Sequence, residues 1–128
     1  MTIAYWCVLA ALVLPYLFIG FAKFTGRDFG PKENHNPREF LEKLEGARKR
    51  AYWAQQNSFE VTPAFAVAVI IAHQVGEASQ GTLDMLALTF VVSRVLYGFF
   101  YIRDLANLRS LVWAVGMVCI VAFFAVSA

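Results

Sequence analysis

The sequence predicts an all-α integral membrane protein, a bundle of four transmembrane helices, and three observations carry that prediction. Apolar residues make up 59% of the chain and charged residues only 16%, against about 25% charged in soluble domains. A water-soluble chain of 128 residues has too much surface for its volume to hide so many apolar side chains, whereas lipid solvates them. The apolar residues also gather into four runs of about the 20 residues that a helix needs to cross the hydrocarbon. The charges lie between those runs. The length fits one domain, residues 1–128, with helices over about 2–24, 50–75, 83–102 and 108–127 and a loop over about 25–49.

Thr2 to Ala22 is uncharged over 21 residues. No Lys or Arg precedes it, and it outruns the h-region of a signal peptide, so it reads as a retained spanning helix. Pro15 predicts a kink there rather than a stop, because neighbouring helices can satisfy the carbonyl it frees. In the first connection Gly26, Gly30 and Pro31 break the chain. Asn36-Pro37 has the form of an N-cap followed by proline at the first helical position. Phe40, Leu41 and Leu44 then share one face, predicting an amphipathic helix over Arg38–Arg50 that can run straight into the second spanning helix.

That second helix, Ala51 to Gly76, carries Gln55, Gln56, Asn57 and Glu60 near its start and His73 near its end. The third, Met85 to Ile102, holds one charge, Arg94. A charge at this depth costs about 2.5–3.5 kcal/mol unless it finds a partner or a wet cavity. Glu60 and Arg94, of opposite sign on different helices, are therefore expected to pair or to share a polar pocket. The fourth run, Ser110 to Ala128, is uncharged over 19 residues. Cys7 and Cys119 fall inside apolar runs and read as small hydrophobes. His73 has no second ligand nearby and reads as an interfacial histidine, and no metal site is predicted.

All eleven Lys and Arg lie between Lys23 and Arg109, eight of them in the first connection and its flanks up to Arg50. The second connection, Gly76 to Asp84, has none. The positive-inside rule then places connections one and three in the cytoplasm and both termini outside. Compactness and the lack of a targeting segment suggest a bacterial inner membrane.

Two polar stripes are candidates for chemistry. Arg50, Asn57 and Glu60 fall at i, i+7 and i+10 on one face of the second helix, and Arg94, Tyr97 and Tyr101 at i, i+3 and i+7 on one face of the third. Singly, such residues often act only as interhelical glue worth about 0.6–2 kcal/mol. Together, at the cytoplasmic ends, they point to a ligand site. Asn107 reads as the N-cap of the fourth helix, which would put Arg109 and Ser110 in its first turn. There, unpaired N–H groups, a guanidinium and a hydroxyl would make an anion site suited to a carboxylate or a thiolate. Alone, Arg109 would be only a flanking charge.

In this order the residues resemble the family of membrane-associated proteins in eicosanoid and glutathione metabolism, with bacterial-type members similar to microsomal glutathione transferases. Asn36-Pro37-Arg38-Glu39 resembles the Asn-Pro-Glu of the family's first cytoplasmic loop. The segment Arg50 to Glu60 is similar to the family's Arg-x-x-x-Ala-His-x-Asn-x-x-Glu, and Pro63 and Phe65 follow as its Pro-Phe does. Arg94-x-x-Tyr97-x-x-x-Tyr101 and Arg109-Ser110 extend the likeness over essentially the whole chain. Departures are Gln55 for the family's His, Tyr52 and Trp53 where a further Arg is common, Val61 for a frequent Asn, and a Tyr101-to-Arg109 spacing that differs by about one residue from some relatives.

The resemblance implies a homotrimer with glutathione as co-substrate in a cleft between adjacent subunits. Arg50, Asn57 and Glu60 would hold the tripeptide, Arg94, Tyr97 and Tyr101 of the neighbour would complete the cleft, and Arg109 with Ser110 would stabilise the thiolate. The expected activity is that of a glutathione-dependent transferase or peroxidase acting on lipophilic electrophiles that arrive through the membrane lipids. Two alternatives stay open: a non-catalytic lipid-binding or scaffold member of the family, and a small transporter or channel subunit using Glu60 and Arg94 as a charge relay. No nucleic-acid partner is expected.

Overall fold

In the computed structural model, which describes all 128 residues, the apolar runs become helices α1 (Ile3–Phe24), α3 (Gly46–Val75), α4 (Gln80–Ile102) and α5 (Ala106–Ala125). A single 3-10 turn (Glu33–His35) and the short helix α2 (Pro37–Glu42) lie between α1 and α3. The four long helices are each apolar enough to cross a membrane. α1 packs chiefly on α3 and α5 on α4, while α1–α4, α3–α4 and α3–α5 contacts close the bundle. α1 runs unbroken through Pro15.

Small residues set the close packing. Ala4, Ala11, Ala68, Ala72 and Ala87 are fully or almost fully buried, and between them the Phe65 and Phe90 rings stack with centroids 3.8 Å apart while Phe123 meets Phe65 edge-on. Gly98 is needed where α1 crosses α4, because a Cβ there would run into the Phe18 ring. Outside this core the helices present Leu9, Leu17, Val92, Leu111, Val118 and other large apolar side chains outward, the arrangement a lipid-facing surface requires.

Two helix boundaries differ from the sequence expectation. The amphipathic helix stops at Glu42 and does not run into the spanning helix. Glu45 is extended and Gly46 takes a left-handed φ of 59°, a turn that glycine makes without steric penalty, and α3 starts afresh there. Asn36 does precede Pro37 at the helix start, but its side chain makes no capping bond. α5 begins at Ala106 behind Leu105, not behind Asn107. The cause is the way α4 ends. Asp104 adopts a left-handed φ of 61°, its N–H bonds to Tyr101 O at 3.1 Å, and Leu105 N–H bonds to Phe100 O at 2.8 Å. That is a Schellman ending with aspartate in the place glycine usually takes, and it restarts the helix one residue further on.

At about 1.5 Å per residue, α3 is about 45 Å long, well beyond a hydrocarbon core of about 30 Å. Its first turns therefore stand clear of the apolar slab together with the ends of α1 and α4.

Candidate functional site

The run Arg48-Lys49-Arg50 opens α3, where cations oppose the helix's own dipole. The structure shows what they serve instead. Arg48 Nε donates to Ala22 O at 2.8 Å at the end of α1, and its two terminal nitrogens grip the Asp28 carboxylate at 2.8 and 3.0 Å. Lys49 Nζ donates to Glu42 O at 2.6 Å and Leu41 O at 3.2 Å at the end of α2. Arg50 Nε and Nη2 both donate to Ile102 O, at 3.2 and 3.0 Å, at the end of α4. Three consecutive cations thus cap the C-termini of three other helices. The paired guanidinium holds the Asp28 carboxyl below the usual carboxylate range, and Lys49, with Tyr52, does the same for Glu42.

The polar stripes lie deeper. Arg94 sits eight residues before Ile102, about 12 Å down the helix axis, and is only 2% exposed. Its Nη2 donates to Asn57 Oδ1 at 2.8 Å and to Ser58 Oγ at 3.3 Å. Asn57 Nδ2 donates in turn to Glu60 Oε2 at 3.1 Å. Arg can only donate and an ionised Glu can only accept, so the two partners fix which way the Asn57 amide points. Glu60 and Arg94 therefore form no direct ion pair; they share a polar pocket with the amide between them. The Tyr97 ring lies 4.1 Å from the Arg94 guanidinium carbon and covers one face of the buried charge, a cation–π contact.

Two hollows open on this layer. Trp53, Gln56, Asn57, Glu60, Tyr97 and Tyr101 line one of about 390 Å³, within the range usual for small-molecule sites. Tyr97, Tyr101, Arg109, Ser110 and Trp113 line a second of about 260 Å³. The two tyrosines, packed edge to face at 5.5 Å, form the ridge between them. The Arg109 guanidinium carbon lies 4.4 Å from the Tyr101 ring centroid, and Trp53 packs on the other flank of Tyr101 at 6.3 Å. One side of the ridge thus offers a carboxylate and amides, and the other a cation and a hydroxyl.

Seven of the eight residues singled out from the sequence gather here, and all of them come from one chain. The two stripes meet because α3 and α4 pack directly, and Arg94 bonds Asn57 across that contact. Arg50 stands apart, its guanidinium held by Ile102 O. Arg109 is the fourth residue of α5 and its N–H is bonded to Leu105 O at 2.9 Å, so it approaches the hollow through its side chain, two residues further into the helix than a cap at Asn107 would place it. Gln55 lies outside both linings. Sequence reasoning passed over Arg48, Ser58 and Trp113, and it gave Gln56 and Trp53 no place in the site. The signal for Arg48 was present: a cationic run at a helix N-terminus is unfavourable unless other helix ends receive it. His73, at the opposite end, joins α3 to α1 by a 3.2 Å contact with Thr2 Oγ1 and a stack on Tyr5.

No curated protein matches this chain. A family model described as the MAPEG family matches residues 3–128, essentially its whole length. The chain belongs to that family, and it is a multi-pass membrane protein of the glutathione and eicosanoid metabolism group.

Proposed function

We propose that this MAPEG member is a glutathione-dependent membrane transferase or peroxidase. The observation that carries the reading is the Tyr97–Tyr101 ridge, with Glu60 and Asn57 on one side and Arg109 and Ser110 on the other. Glu60 suits the ammonium of the tripeptide, and Asn57 its amide groups. The thiol then reaches Arg109, where a guanidinium over an aromatic face favours the thiolate, the nucleophilic form. The thiolate attacks the electrophilic carbon of a lipophilic substrate and expels its leaving group, or attacks the distal oxygen of a lipid hydroperoxide, breaking the O–O bond; the alkoxide takes up a proton and leaves as the alcohol, and the glutathione sulfenic acid formed is converted by a second glutathione to the disulfide and water. Arg109, with the Ser110 hydroxyl, stabilises the negative charge. Arg94 acts through Asn57. Three copies form the trimer, which covers the open sides of the hollows, with the Arg48-Lys49-Arg50 end in the cytoplasm and both termini outside.

Calorimetric titration of glutathione into detergent-purified protein tests this. Saturable binding is expected, weakened about tenfold or more by Asn57→Ala. Arg109→Ala should lower turnover about 100-fold, the scale of removing one charge-stabilising donor. A second reading, a lipid-binding member without catalysis, is favoured by one observation: Trp53 walls the Glu60 hollow, Arg50 is held by Ile102 O, and Arg109 lines the other hollow, so no cation lines the first. Lipid that co-purifies in fixed proportion, with no heat from glutathione, would select that reading over the first.

A further inference from the structure

We propose that Arg50 is a positioning residue for Arg109, acting through the end of α4, and that it does not contact the ligand. The chain between them leaves little slack. α4 ends in the Schellman turn, which satisfies Phe100 O and Tyr101 O from the backbone. Phe99 O takes the Arg103 N–H at 3.0 Å. Of the last four carbonyls of α4, which a helix cannot satisfy internally, Ile102 O alone depends on a side chain, and Arg50 supplies it twice over.

One turn further along α3, Trp53 packs against Tyr101. α3 therefore braces the end of α4 at two successive points, the carbonyl of Ile102 and the ring of Tyr101. That ring is the surface on which Arg109 rests, and only Asp104 and Leu105 separate the C-cap Arg103 from the first residue of α5. Releasing Ile102 O lets the turn and the ring shift together, and the Arg109 guanidinium loses its seat. A displacement of about 1 Å at a reacting group can cost about 100-fold in rate. The catalytic part of this inference rests on the role proposed for Arg109; the geometric part does not.

The test uses the full-length protein in detergent, with Arg50→Gln and Arg50→Lys. The side-chain Nε–H resonance of Arg109, identified by its loss in Arg109→Lys, reports the position of the guanidinium over the Tyr101 ring without any ligand. Arg50→Gln should displace that resonance, and Arg50→Lys, which keeps a donor for Ile102 O, should return it most of the way. In glutathione titrations Arg50→Gln should keep affinity within about threefold while turnover falls at least tenfold. An unmoved resonance in Arg50→Gln overturns the proposal, and so does a tenfold loss of affinity at unchanged turnover, which marks a ligand contact. Should Arg50→Gln not fold, Arg50→Lys decides alone: a small displacement supports the strut, and none overturns it. If wild-type protein binds no glutathione, the proposed activity fails while the resonance still decides the role of Arg50.

Discussion

The two ends of the bundle are held by opposite chemistry. At the end where α1, α2 and α4 finish, cations from a single turn of α3 reach their terminal carbonyls. At the other end, where α1 and α4 begin, oxygen acceptors meet free N–H groups: Thr2 Oγ1 takes Tyr5 N–H, Asp84 Oδ1 takes Ala4 N–H at 2.9 Å, and Ser79 Oγ takes Thr82 N–H. Each end thus meets the charge of the helix dipoles it terminates. The difference also explains where a ligand site can lie. Beneath the acceptor-capped end the interior is closed by stacked Phe65, Phe90 and Phe123. Towards the cation-capped end polar side chains line the two hollows that open between α3, α4 and α5.

If cohesion belongs to the apolar half, the largest loss comes from its stacked rings. Phe65 is fully buried, and Phe65→Ala should cost about 3–5 kcal/mol, the usual scale for a buried phenylalanine. Unfolding in increasing sodium dodecyl sulfate, followed by circular dichroism, measures it. A loss under about 1 kcal/mol would move the source of cohesion to the cationic clamp and break the comparison. A smaller effect is expected at the acceptor-capped end. Asp84→Ala removes the acceptor for Ala4 N–H and should cost about 1 kcal/mol, as loss of a helix cap does. Hydrogen exchange confined to the first turn of α1 would show that the effect is local, while protection lost along all four helices would contradict a capping role.

The sequence carried the helices well and the contacts between them poorly. Four apolar runs are legible because lipid imposes a long, charge-poor stretch on any spanning helix. The ends are not, since they depend on φ values: Asp104 in a left-handed turn moved the start of α5 ahead of Asn107, and the turn at Glu45 and Gly46 parts α3 from the amphipathic helix. Periodicity placed Asn57 with Glu60 and Arg94 with Tyr97 and Tyr101 correctly on shared faces, because a helix fixes those spacings. It could not tell which face met which, nor that Arg50, on the same stripe as Asn57, would bond Ile102 O. A stripe gives azimuth; the partner is set by where a neighbouring helix happens to stop.

The smallest expected effect concerns the clamp and pH. Arg48 lowers the Asp28 carboxyl below its ordinary value through their paired hydrogen bonds. A carboxylate so lowered adds stability that is fully present above the ordinary aspartate range and disappears as pH falls through the lowered, folded-state value. The first connection should therefore loosen in acid before the apolar half does. Arg48 also holds Ala22 O, a carbonyl that does not titrate in this range, so protonating Asp28 frees the loop while leaving α1 attached. Limited proteolysis between Thr25 and Asn36 reads this directly. Cleavage of wild-type protein should accelerate as pH drops below the ordinary aspartate range, whereas Asp28→Asn should be cleaved at a rate that no longer depends on pH there. Equal pH dependence in the two proteins would assign the acid response to another carboxylate, with Glu42, lowered by Lys49, the next to replace.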